Sequence, residues 1–237
     1  GTDQLLIDLI YSEALQQIAE DLLGKDTLVE PKVGGKTMGQ HGAAWPGGPV
    51  DPALDNEGAR GIYATLPYGD KEKEEDYCHT DGHPFNLGLV GLIDDVLPDG
   101  GALKIWPGSH SRLYPTFQMQ YDQPRIPFYP DMPKFKGLIQ SPEYEKEITK
   151  ILKDTKPVDC WGSIGDVVLF HHRIAHMAGH NYTNKIRQAV LYDFKKKDLD
   201  ESRTKPPQDD MWGDWSESLK SVSETYSEET AKSQRLP

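Results

Sequence analysis

Six short runs rich in β-branched, aromatic and other apolar residues lie at 61–67, 78–83, 87–93, 102–106, 166–171 and 187–194. Segments holding Gly, Pro, Asn and Asp separate them. Several short strands divided by turn residues, with few helical stretches, predict a double-sheet β-fold such as a jelly roll. A chain of 237 residues is long enough to bury a substantial core, and folds of this kind run to that size undivided. The expected class is therefore mainly β with flanking helices.

The rest of the chain is arranged around those strands. Leu5, Leu9, Leu15, Ile18 and Leu22 recur at helical spacing, so the pattern predicts one helix over 4–23 that Gly24 stops. Residues 34–61 are crowded with Gly and Pro and read as a long loop. Trp45 inside it suggests a lid over a binding site. Pro142 at a first turn predicts a helix over 142–153, and a further helix is expected near 216–230. The expected organisation is a single domain spanning 1–237. Within it, 1–60 is helix plus loop, 61–194 is the core with an insert at 111–156, and 195–237 is a polar tail.

Net charge is −12, and no cluster of Lys and Arg stands out, which argues against a nucleic-acid partner. No apolar run approaches the roughly 18 residues that would span a bilayer. The start of the chain has no basic, then apolar, leader pattern. Two cysteines, Cys78 and Cys160, make no disulfide framework, so a reducing compartment and a cytoplasmic location are expected. Cys78 adjoins His79, but neighbouring strand residues point to opposite faces, so Cys78 is expected to face away from anything His79 binds.

Three separated elements carry chemistry: His79-Thr80-Asp81, Pro107-Gly108-Ser109-His110, and His176 followed by Arg187. A His-x-Asp triplet alone means little, since roughly one is expected by chance in a chain of this composition. Placement matters more. Residues i and i+2 share a strand face, so His79 and Asp81 could grip one ion together, with His176 supplied by another strand of a barrel. Two histidines and a carboxylate suit non-haem Fe(II) with open positions for further ligands. They also suit catalytic zinc, although no nearby Glu stands out as a general base. His171 and His172 compete with His176 for the third place. Arg187, Ala189 and Leu191 share one face of a strand. If that face is inward, Arg187 needs an anionic partner, either a ligand carboxylate or an internal one such as Asp166 or Asp193.

These blocks, with Gly100 to His110 and Gly165 to His171 between and beside them, resemble the phytanoyl-CoA dioxygenase family of Fe(II)/2-oxoglutarate-dependent oxygenases. The resemblance covers roughly residues 60–195. It implies a double-stranded β-helix, a jelly-roll and cupin-like fold. It implies that His79, Asp81 and His176 ligate Fe(II) and that Arg187 anchors the distal carboxylate of 2-oxoglutarate. His110 is then a turn residue beside the site. Many members carry a small hydroxyl residue two positions after the distal histidine, where this chain has Ala178. Thr65, Tyr63 or Asn86 is expected to replace that donor. His83, Tyr63 and Trp45 are candidates for contact with substrate.

The implied reaction couples oxidative decarboxylation of 2-oxoglutarate, with release of succinate and CO2, to hydroxylation of an unactivated C–H bond of a small molecule. Molecular oxygen is the co-reactant. Two other readings stay open: a metal-dependent cupin-type enzyme that does not use 2-oxoglutarate, and a non-catalytic jelly-roll binding module. Neither substrate nor oligomeric state is legible in the sequence.

Overall fold

The structure is a computed structural model that describes residues 4–29, 61–80, 86–116, 142–198 and 211–225. Helices α1 (Gln4–Ile10) and α2 (Glu13–Leu23) come first. Strands β1 (Gly61–Thr65), β2 (Leu87–Leu92) and β3 (Leu103–Ile105) follow. Helix α3 (Ser109–Leu113) runs into a 3-10 turn at Tyr114–Thr116. After α4 (Pro142–Asp154) come β4 (Val158–Asp159), β5 (Val167–His171), β6 (His176–Ala178) and β7 (Arg187–Phe194), then α5 (Glu217–Thr225).

The strands form two antiparallel sheets, one in the order β1-β7-β2-β5 and one in the order β4-β3-β6. The architecture is mainly β with flanking helices, in the two-sheet jelly-roll manner. Strand alternation sorts the side chains of β7 into two sets. Val190, Tyr192 and Phe194 pack outward against Ala19 and Leu23 of α2 and against Trp215. Ala189 points inward with Val90, Leu92, Leu103 and Phe170, in the core between the sheets. A third cluster, Cys78, Trp106, Leu113, Tyr144, Ile151, Ala175 and Met177, backs the smaller sheet with α3 and α4. Each sheet therefore has one helix-covered face, and the faces left over meet to enclose the site. Among the described residues, no helix is long and apolar enough to cross a membrane.

Most strand expectations match within a residue or two, and 187–194 matches at both ends. Three details differ. The helix expected over 4–23 is two helices, because Ser12 takes an extended backbone (φ −54, ψ 136) and its carbonyl starts α2 by accepting from Gln16 N–H. Serine favours such helix starts over helix interiors. Gly24 stops α2 as expected, at φ +112, where a side chain would be strained. The strand expected over 78–83 is reduced, in its described part, to a single bridge between His79 and His176. Strands β4 and β6 were not anticipated; they are two and three residues long, too short to show a period.

Candidate active site

His79 and His176 meet backbone to backbone: each N–H donates to the other's carbonyl, at 3.0 and 2.9 Å. Their rings lie side by side, with centroids 4.7 Å apart. The chain around each is held from behind. Tyr144 of α4 bonds through its hydroxyl to the Thr80 N–H (3.1 Å) and to Thr80 Oγ1 (2.8 Å), next to His79. Ser109 Oγ accepts from Ala175 N–H (2.8 Å), and Trp106 N–H donates to the Ala175 carbonyl (3.0 Å), next to His176. This gives the Pro-Gly-Ser-His turn a physical role: Gly108 takes φ +76 and brings Ser109 onto the backbone that precedes His176.

His176 Nδ1 lies 2.9 Å from the Ile174 carbonyl. A carbonyl only accepts, so Nδ1 carries the proton and the Nε2 lone pair is the one presented to a metal. That is the usual tautomer of a metal-ligating histidine. The donor set therefore fits a divalent transition metal as far as it is described. Asp81, the third expected ligand, lies outside the described residues, as do His83 and Trp45. Among the described residues, no group of three or more His, Cys, Asp or Glu is placed to hold a metal ion.

Both histidines open onto a cavity of about 160 Å³ between the sheets. That is roughly ten times the space one water needs, so a small ligand fits. Arg187, Thr65, Tyr63 and Ala178 line it too. Arg187 is buried, and burial pulls its pKa below the ordinary arginine value. Its Nε donates to the Gly101 carbonyl at 2.6 Å, which aims the guanidinium. Among the described residues no carboxylate forms an ion pair with it, so neither internal partner considered from sequence, Asp166 or Asp193, is engaged there. Asp166 instead accepts from Ser163 N–H at 2.8 Å. Thr65 lies directly across the strand pair from Arg187. Asn181, fully buried, donates to the Thr65 carbonyl at 2.9 Å and fixes that edge.

One expectation is corrected by placement. Asn86 does not line the cavity: its amide oxygen accepts from Lys196 N–H at 2.9 Å, and its carbonyl faces His172 Nδ1 at 3.2 Å. It caps the start of β2 instead of meeting a ligand. His171 and His172, the competitors of His176, sit elsewhere with His110, Trp212 and Trp215. His172 is bonded at both ring nitrogens, to the Asn86 carbonyl and to Arg173 Nε (3.0 Å). Cys78 faces away from the cavity, as expected, and burial raises its thiol to about 12. Sequence reasoning missed Tyr144, which shows no motif. It also missed Asp193 as a cavity residue, although the Arg187, Ala189, Leu191 alternation leads straight to it.

The family model that matches this chain is phytanoyl-CoA dioxygenase (PhyH), over residues 3–189. The chain belongs to the phytanoyl-CoA dioxygenase family. None of the curated proteins matches it. Similar solved structures include the non-haem α-ketoglutarate-dependent carbocyclase SnoK from nogalamycin biosynthesis, at 20% identity and TM-score 0.37, covering 63% of this chain and 58% of that one. EctD from S. alaskensis with bound Fe is 16% identical, with TM-score 0.36, covering 56% of this chain and 42% of that one. The epimerase SnoN, in complex with Fe3+, α-ketoglutarate and nogalamycin RO, is 23% identical, with TM-score 0.33, covering 56% and 47%. The chain spans between 42% and 58% of the length of these three structures.

Proposed function

We propose that this protein is an Fe(II)- and 2-oxoglutarate-dependent oxygenase that hydroxylates an unactivated C–H bond of a small molecule. The observation that carries the reading is one cavity lined both by the paired histidines His79 and His176 and by the buried Arg187. Family membership supports it, and so do the iron and α-ketoglutarate in the SnoN complex. His79, Asp81 and His176 are the proposed iron ligands. When bound, the iron and its cosubstrate supply the oxidising power, with succinate and CO2 as by-products.

The chain's own residues bind and orient. Arg187, held by Gly101, takes the far carboxylate of 2-oxoglutarate in a two-pronged, charge-assisted bond. Thr65, beside it, supplies the hydroxyl that Ala178 lacks. Val90, Leu103, Phe170 and Leu191 keep the walls apolar. They exclude water, which strengthens every polar contact inside. Tyr63 faces the same space and is available to substrate.

The test is succinate formation from 2-oxoglutarate under air, with and without added Fe(II). Iron-dependent succinate is the expected result. Iron binding without any succinate would instead favour a cupin-type enzyme that does not use 2-oxoglutarate. Absence of iron binding would favour a non-catalytic binding module.

A further inference from the structure

A path of contacting rings leads away from the proposed iron ligand His79. Tyr77, 56% exposed, stacks on the His79 ring, with centroids 6.4 Å apart and planes 22° apart. Tyr77 also meets His180, at 6.4 Å, and His180 packs on Tyr68, at 5.4 Å. Each separation lies within the roughly 4.5–7 Å of contacting aromatic pairs. His180 is buried, and both its ring nitrogens have partners. Nε2 lies 3.4 Å from the Glu75 carbonyl, which only accepts, so Nε2 carries the proton. Nδ1 then presents its lone pair, and the Tyr68 hydroxyl donates to it at 3.2 Å. Asp76, itself held by Lys104 at 2.9 Å, stands 3.9 Å from Nε2. A carboxylate there favours the charged form of the imidazole.

We propose that Tyr68 is a redox-active tyrosine that discharges the iron-bound oxidant when no substrate consumes it, with Tyr77 as the bridge and His180 as the proton acceptor. This rests on the oxygenase reading above, in which oxygen and 2-oxoglutarate supply that oxidant. One electron passes from the Tyr68 ring through His180 and Tyr77 to His79 and the iron. The Tyr68 O–H bond breaks, and its proton forms an N–H bond at His180 Nδ1. The products are a neutral phenoxyl radical, an imidazolium beside Asp76, and an iron-bound oxidant reduced by one electron. A solution reductant of the ascorbate class then returns an electron to Tyr68, and His180 returns the proton. The proton must leave with the electron, because Lys71 Nζ lies 5.2 Å over the Tyr68 ring and repels a cationic one. Tyr77 is the bridge and not the end of the path: among the described residues no base accepts from its hydroxyl, whereas Tyr68 has one.

The experiment uses the full chain and has two readouts. Metal-free protein, isotope-labelled at its histidine nitrogens, is examined by NMR at about pH 8.5, above the ordinary histidine range. The neutral His180 ring should carry its proton on Nε2; a proton on Nδ1 overturns the proposal, whatever the variants do. The protein is then loaded with Fe(II) and 2-oxoglutarate without oxygen, and the visible charge-transfer band is recorded. Oxygen is admitted without substrate, and the mixture is frozen rapidly for electron paramagnetic resonance. A tyrosyl radical signal is expected. It should fall to background in Tyr68→Phe and in Tyr77→Leu, and persist in Tyr182→Phe, whose ring touches Tyr68 but lies off the path. The band of each variant shows that its iron site is intact. A signal that survives Tyr68→Phe or Tyr77→Leu, or vanishes in Tyr182→Phe, overturns the proposal. No radical from unmodified protein that shows the band sinks the role of Tyr68 alone. No band sinks the oxygenase reading and this proposal with it.

Discussion

Single side chains hold the proposed catalytic face in register from outside it. Tyr144 is the clearest case, since one phenol serves two groups of Thr80 and so fixes the backbone beside His79. Tyr144→Phe removes both bonds and strands a buried N–H, which costs on the order of 1–3 kcal/mol. Displacing a group that orients a metal ligand lowers affinity by about 10- to 100-fold. Fe(II) titration of this variant should show that weakening while Arg187 is untouched. His79, His176 and Arg187 stood out because three blocks in order resemble one family; the residues alone left His171 and His172 in competition with His176. Asn86 was misplaced because an asparagine's side chain gives no sign of whether it faces a ligand or bonds a distant backbone group, here Lys196 N–H. Tyr144 could not be found, since its partner Thr80 lies 64 residues away.

At the scale of elements, α2 is anchored by Leu23, which is 1% exposed against β7 and Trp215. Leu23→Ala should cost about 2–5 kcal/mol, read as a shifted denaturation midpoint. Gly88→Ala places a methyl against the Phe170 ring and tests the packing between β2 and β5. About 1–3 kcal/mol of stability should be lost, with the ring pushed from its place against His176. A calorimetric melt that matches the unmodified protein would contradict that geometry. Strand β7 was legible to the residue because eight residues show both faces of an alternation. Strand β6 and the His79 bridge were not, because three residues and one residue carry no period; long-range pairing made them. The same holds for the break at Ser12, where a local capping preference interrupts an apolar pattern that runs on through both helices.

For the whole molecule, acid stability is set away from the cavity, where His110, His171 and His172 are packed with Trp212 and Trp215. Burial, then the Arg173 guanidinium, pushes His172 down to about 3. Burial, then neighbouring His172, pushes His171 well below its ordinary value, and burial lowers His110. In the unfolded chain these groups take up protons near pH 6.5, whereas the folded chain resists. The unfolded state then binds more protons, so stability falls as pH drops from about 6.5 towards 3 and recovers as it rises. His172 alone should contribute a slope of about 1.4 kcal/mol per pH unit in that window. Urea midpoints at pH 7 and pH 5 check this, and His172→Gln should flatten the difference. The two-sheet class was legible from strand spacing, whereas the packing of the tail onto this histidine cluster was not. Trp212 and Trp215 lie in a polar tail whose sequence gives no indication of where it packs.

The central claim is that Arg187 and the histidine pair act on one ligand in one cavity. The most direct measurement adds Fe(II) and then 2-oxoglutarate to the metal-free protein without oxygen, and follows the visible charge-transfer band. A band in the unmodified protein that needs much higher 2-oxoglutarate in Arg187→Ala is the predicted result. Iron binding with no band, or a band indifferent to Arg187→Ala, would contradict it.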